Sequence, residues 1–148
     1  MIYFDTSALV KRFVQEKGSP VVQSLFKSAA GIATAKIAYA EIFAGLSRKL
    51  RERSVSKAQY STACRQFESE WHAYVRIELQ DDILALARDL IQRHPLRGFD
   101  AVHLASALRL KAAIAEEMRF VAADKNLLKA AQSEMLDAIN VETTSAFK

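Results

Sequence analysis

The stretch Ile2-Tyr3-Phe4-Asp5-Thr6-Ser7-Ala8-Leu9-Val10-Lys11 decides the fold. Three apolar strand formers stop at an aspartate, and the turn-prone Thr6-Ser7 then opens a helical stretch predicted over residues 8–13. Strand, loop and helix follow one another within a few residues, and the same alternation continues. Ser19-Pro20 sets a cap before a proline, and Val21, Val22, Leu25 and Phe26 recur at helical spacing until Gly31. A second strand is expected over 32–35, then a helix over 37–52 whose first half is apolar and whose second half is charged. Ser56 and Gln59 have the spacing of a capping box and introduce a long polar helix toward Trp71, forming an outer hairpin with its predecessor. A strand over 75–79, a helix after Asp81-Asp82 that stops at His94-Pro95, a helix over 100–115, a strand over 119–123, a helix over 126–131 and a last strand over 139–142 complete the pattern. Strands that alternate with helices imply a parallel sheet covered on both faces, with ligands outside the carboxyl ends of its strands.

Size and composition narrow the class. The chain has 148 residues, 51% of them hydrophobic, which suits one compact domain over 1–148. A net charge of +4 favours contact with phosphates without demanding it. Cys64 is the only cysteine, so an intrachain disulfide and a cysteine-rich zinc site are excluded. The start has no signal-peptide pattern and no segment approaches a membrane span, so a cytoplasmic protein is expected.

Four carboxylates stand out. Asp5, Asp100 and Asp124 each have a plain reading as helix caps. Glu41 resists one, because in Ile37-Ala38-Tyr39-Ala40-Glu41-Ile42-Phe43-Ala44-Gly45-Leu46 it is the sole charge. Desolvating an unpaired carboxylate costs several kcal/mol, so Glu41 should be paired, protonated or bound to a cation; Lys36 or a core arginine is the simplest partner. Asp100 begins a helix too apolar for a surface position. If the four converge, their repulsion raises at least one pKa, and a hard divalent cation removes the conflict. Magnesium and manganese prefer such oxygen ligands.

The segments Asp5 to Lys11, Ala40 to Leu46, Arg97-Gly98-Phe99-Asp100-Ala101-Val102-His103-Leu104-Ala105-Ser106-Ala107 and Phe120-Val121-Ala122-Ala123-Asp124-Lys125 together resemble the PIN domain, most closely the VapC-type toxin ribonucleases. The resemblance covers nearly the whole chain. It implies a three-layer α/β/α sandwich about a mainly parallel sheet of four to five strands. It also implies that Asp5, Glu41, Asp100 and Asp124 hold magnesium or manganese, that RNA is the substrate, and that a cognate antitoxin protein blocks the site. Products with 5′-phosphate and 3′-hydroxyl ends are expected, from in-line attack by a metal-bound water. The family commonly has threonine or serine two residues before the last aspartate, where this chain has Ala122; the role of that hydroxyl is either absent or taken by Thr6 or Ser7, which are expected to orient Asp5 or the substrate.

An acidic pocket needs cations around it to bind a polyanion, and Lys11, Arg12, Arg97 and Lys125, with Arg48 and Lys129, are the nearest in sequence. His103 reads as a packed, hydrogen-bonded core residue. His72 and His94 lack partners for a zinc site, Trp71 and Tyr74 read as core or interface, and Cys64 has no base partner. Self-association as a homodimer is expected through the apolar flank of 37–50 and the long helix after it. A phosphatase of the haloacid dehalogenase type needs a second aspartate where Ser7 stands, and a dinucleotide fold needs a glycine-rich turn that is absent. The alternative that keeps this fold is a PIN-like module without catalysis that binds RNA or protein.

Overall fold

The computed structural model describes residues 1–145; the last three residues of the expected domain lie outside the described part. Five strands, β1 (Ile2–Phe4), β2 (Ile32–Ala35), β3 (Val75–Ile77), β4 (Arg119–Ala122) and β5 (Asp137–Asn140), form one sheet in the order β3-β2-β1-β4-β5, every neighbouring pair parallel. The helices are α1 (Thr6–Leu9), continued by a 3-10 turn Val10–Arg12, α2 (Ser19–Ser28), α3 (Ala38–Arg51), α4 (Lys57–Trp71), α5 (Asp81–Arg93), α6 (Gly98–Ala113) and α7 (Lys125–Ser133). β5 starts two residues earlier than its apolar pattern suggests, because Asp137 and Ala138 pair with Arg119 and Phe120 through backbone groups that are blind to side-chain polarity.

Two cores flank the sheet. Tyr3, Ala33, Phe120 and Ala122 face α5, α6 and α7, whereas Ile2, Phe4 and Val121 face α1 to α4, as strand alternation requires. The second core is aromatic: Phe4, Phe26, Phe67, Trp71 and Tyr74 make ring contacts with centroids 5.0 to 6.2 Å apart. Trp71 and Tyr74 are therefore core residues. Ser56 and Gln59 make both hydrogen bonds of the capping box. Ser19 instead sits inside its helix, and Gly18, at φ +92°, is the capping position; a Cβ there would come within 2.9 Å of the Val141 carbonyl.

The expected dimer surface is divided: Tyr39, Ala40 and Ala44 on α3 and most of α4 are exposed, while the apolar residues between them turn inward. Ala38, Ile42 and Leu46 on α3 are fully buried within the core that α4 covers, so that part of the flank is used within the chain. The exposed large apolar residues Leu84, Ile91 and Phe99 instead line a groove of about 470 Å³ between α5 and α6. No described helix is long and apolar enough to cross a membrane.

The order of the strands reverses at β1, whose sequence neighbour β2 lies on one side and β4 on the other. Such a switch point leaves a crevice at the carboxyl ends of the two strands. Asp5 follows β1 directly and Asp124 follows β4 by two residues.

Candidate active site

Asp5, Glu41, Asp100 and Asp124 all line one cleft of about 680 Å³ at this crevice, with Thr6, Ser7 and His103. Each carboxylate arrives on a different part of the chain; Asp5 and Asp124 are held by local helix caps, and Glu41 by partners distant in sequence.

Asp5 is the deepest, 3% exposed. Its backbone N–H donates to the Val121 carbonyl at 3.0 Å, which ties the end of β1 to β4. Its carboxylate caps α1 by accepting from the Ala8 N–H at 3.2 Å and accepts from the Ser7 hydroxyl, 2.8 and 2.9 Å from its two oxygens. Burial, with the Asp100 carboxylate adding, pushes its pKa up to about 6 against the pull of His103, Ser7 and the cap.

The Ser7 oxygen also accepts from the Ala123 N–H at 3.0 Å. Ser7 therefore joins Asp5 to the chain just before Asp124, and it places a hydroxyl where Ala122 supplies none. The Ala122 methyl lies in the core on the α6 side of the sheet, so Ser7 reaches this backbone from the other face.

Glu41 sits in the first turn of α3, and its partner is neither Lys36 nor an arginine. Lys36 pairs with Glu78 at 2.6 Å. Glu41 Oε1 instead accepts from Thr6 Oγ1 at 2.8 Å and from His103 Nε2 at 2.7 Å. Burial works to raise its pKa, but the His103 bond and charge and the Thr6 bond outweigh it, and Glu41 titrates below the usual range. On the far side of the ring, His103 Nδ1 lies 2.9 Å from the Tyr3 hydroxyl. A hydroxyl serves that nitrogen with or without its proton, so the ring is fixed from both ends. His103 is thus the packed, hydrogen-bonded core residue that the sequence suggests, and what the sequence did not show is that it anchors Glu41. Its place one turn after Asp100 puts it on the face of α6 that meets the cleft, but that spacing carries no pointer to Glu41 on another helix.

Asp100, in the first turn of α6, is half-buried. Burial and the Asp124 carboxylate raise its pKa, with Glu41 adding, while His103 and Arg97 oppose. Asp124 is exposed and caps α7 by accepting from the Leu127 N–H at 2.9 Å. Among the described residues, no three ligand-type side chains are already drawn together as a metal cluster, because Glu41, Asp5 and Asp124 are turned onto their own hydrogen-bond partners. The donors nevertheless suit a hard cation: all are carboxylate oxygens, and repulsion between them helps lift two of them above their ordinary pKa, a cost that a divalent ion removes.

The expected phosphate-binding cations divide sharply. Lys11 is 5% exposed, its Nζ 3.1 Å from both Glu16 and Glu142, because a buried ammonium must be paired. Arg12 lies over the Phe26 ring, donates to Glu70 through two nitrogens and also to Gln23. Neither is free to meet a substrate, which corrects the expectation for both. Arg97 and Arg48 line the cleft, are exposed, and form no ion pair among the described residues. Lys125 and Lys129 are exposed but stand outside the cleft lining.

A parallel sheet read from its middle strand, with acids gathered at the switch point, defines a class that comparison with known proteins identifies. The sequence model of the PIN domain matches residues 2–133, and the chain belongs to the PIN domain family. Among its relatives are the proteins called Ribonuclease VapC45 and Ribonuclease VapC49 of Mycobacterium tuberculosis, each 36% identical over 108 residues, which cover 73% of this chain and 75% of theirs. Similar solved structures include a toxin-antitoxin complex from Klebsiella pneumoniae, at TM-score 0.67 and 18% identity over 95% of this chain and 98% of that one. FitAcB from Neisseria gonorrhoeae superposes at TM-score 0.67 and 13% identity over 97% of this chain and the whole of that one. These neighbours carry the same three-layer fold.

Proposed function

We propose that this protein is an endoribonuclease and the toxin of a toxin-antitoxin pair, acting in the cytoplasm as a single PIN domain on RNA, with an antitoxin protein as its partner. The observation that carries the proposal is the meeting of Asp5, Glu41, Asp100 and Asp124 in one cleft at the sheet's switch point, in a chain of the PIN family related to named ribonucleases.

Asp5, Glu41 and Asp100 would hold magnesium or manganese, with Asp124 binding directly or through water. A divalent ion held there would lower the pKa of a bound water and neutralise charge on the scissile phosphate. Ser7 fixes both oxygens of Asp5, and His103 with Thr6 fixes Glu41, so two ligands are aimed from buried or half-buried supports. Arg97 and Arg48, at the rim, attract the flanking phosphates that the acidic floor would otherwise repel. Cleavage would leave 5′-phosphate and 3′-hydroxyl ends.

The direct test is cleavage of RNA by purified protein with magnesium or manganese, and its loss in EDTA. Cleavage that persists in EDTA would sink the metal mechanism. A PIN-like binder without catalysis would bind RNA yet show no manganese-stimulated cutting. Self-association is proposed through the α5–α6 groove, where Leu84, Ile91 and Phe99 are exposed.

A further inference from the structure

Beyond the cleft, α3 runs on into a charge imbalance that the fold leaves uncompensated. From residue 48 to 57 the chain carries Arg48, Lys49, Arg51, Arg53 and Lys57 against Glu52 alone. Lys49 is committed to Glu16 at 2.6 Å. The other four are exposed, and none forms an ion pair among the described residues. On the same side of the molecule the fold pairs Lys11 and Arg12 with carboxylates, so its cations are neutralised where the structure needs them.

The plain account of such a run is the helix dipole, which favours cations in a last turn. It covers Arg48, Lys49 and Arg51 at the end of α3. It reaches Arg53 as well, which lies just past the helix at φ 59° with its N–H on the Leu50 carbonyl. It fails for Lys57, the first residue of α4, where the dipole disfavours a cation. What the four share is a place. Arg48 lines the cleft, Arg51 is its neighbour one turn on, and Arg53 and Lys57 close the hairpin beyond.

We propose that the α3–α4 hairpin end, Arg51, Arg53 and Lys57 continuing from Arg48, is a backbone-binding arm for single-stranded RNA that grips phosphates on one side of the scissile bond. The proposal rests on the ribonuclease reading and adds to it a length preference with a direction. At 1.5 Å per helical residue, Arg51 lies roughly 15 Å along α3 from Glu41. An RNA strand leaving the cut along α3 would therefore reach the arm within a few nucleotides. The arm reads charge and not bases, so it sets how much RNA must extend from the site, whereas sequence choice belongs to the cleft.

The test compares wild type with an Arg51→Gln, Arg53→Gln, Lys57→Gln variant on labelled RNAs. One ends about two nucleotides past the cut on both sides; two others extend about ten nucleotides on the 5′ or the 3′ side alone. One of the two extensions is expected to lower KM for wild type about tenfold or more, and the variant should lose that gain with kcat unmoved. In EDTA, the salt slope of RNA binding by anisotropy should fall by about 2, from three contacts at about 0.7 each for single strands. An Arg51→Lys, Arg53→Lys variant keeps the charge and should restore both. Equal KM on all lengths with an unchanged salt slope overturns the arm. So does loss of antitoxin binding with the RNA parameters unmoved, which assigns the hairpin to a protein. If wild type cuts no RNA, the ribonuclease reading fails, while the salt slope in EDTA still decides the arm.

Discussion

His103 on α6 and Glu41 on α3 meet at 2.7 Å across 62 residues of sequence, and the Tyr3 hydroxyl backs the histidine from the central strand. The least explicable charge of the sequence is thus anchored by a ring that is itself anchored in the core. His103→Gln keeps a donor of similar reach but loses the second anchor. Cleavage should drop about 10- to 100-fold, and half-maximal activity should need more added metal, the usual effect of removing a group that orients a ligand. His103→Ala should also cost about 2 to 4 kcal/mol in urea unfolding, because it leaves a cavity and strands the Tyr3 hydroxyl.

Asp100→Asn is expected to separate activity from stability. Cleavage should fall on the order of a thousandfold. Burial and the Asp124 carboxylate hold Asp100 above its ordinary pKa, so removing its charge relieves repulsion, and the variant's melting temperature in EDTA should equal or exceed wild type. A lower melting temperature would contradict the electrostatic reading of the cleft.

Asp5 gives the pH dependence a sign. Its folded pKa of about 6 stands above the ordinary 3.8, so its contribution to stability is complete below about 3.8 and is lost as pH rises through about 6. Against an Asp5→Asn reference in EDTA, wild type should be similar near pH 4 and less stable above pH 6, by on the order of 3 kcal/mol. Magnesium favours the ionised form, and it should raise the wild-type melting temperature more at about pH 7.5 than at about pH 5.

Ser7→Ala tests how the chain manages with Ala122. It removes the hydroxyl from both Asp5 oxygens and leaves the Ala123 N–H without its acceptor, at about 1 to 3 kcal/mol. Activity should fall with it. Ala122→Ser should give no gain, because its side chain would enter the core on the other face of the sheet.

Much of this was legible in the sequence, and the divide is physical. Residues 2–5 announce β1 and its terminal aspartate because apolar run and polar stop are local, and Ser56 with Gln59 announces a cap for the same reason. Periodicity says which face of a helix is apolar but not what that face meets. The flank of α3 was therefore visible while its burial against the chain's own core was not. Lys11 looked like a surface cation for the same reason, since its two carboxylate partners include Glu142, 131 residues away. The Glu41–His103 bond needed two helices to be brought together, which no spacing rule encodes.

The exposed groove between α5 and α6 should be where two copies meet. Sedimentation at micromolar concentration is expected to give a dimer, and Leu84→Glu with Ile91→Glu to give a monomer, because a charge in an apolar contact is strongly disfavoured. A dimer that survives both changes would place the interface elsewhere.

The central position of β1 also governs when the protein becomes dangerous. Ile2 pairs with Ile32 on one side and with Arg119 on the other, so the strand that carries Asp5 waits for a partner more than a hundred residues later. Such distant pairing is slow and comes late. A chain still on the ribosome, short of Asp100 and Asp124, holds Asp5 and Glu41 but not the rest of the cleft. The fold therefore withholds the complete cleft from any chain that stops short of β4 and Asp124.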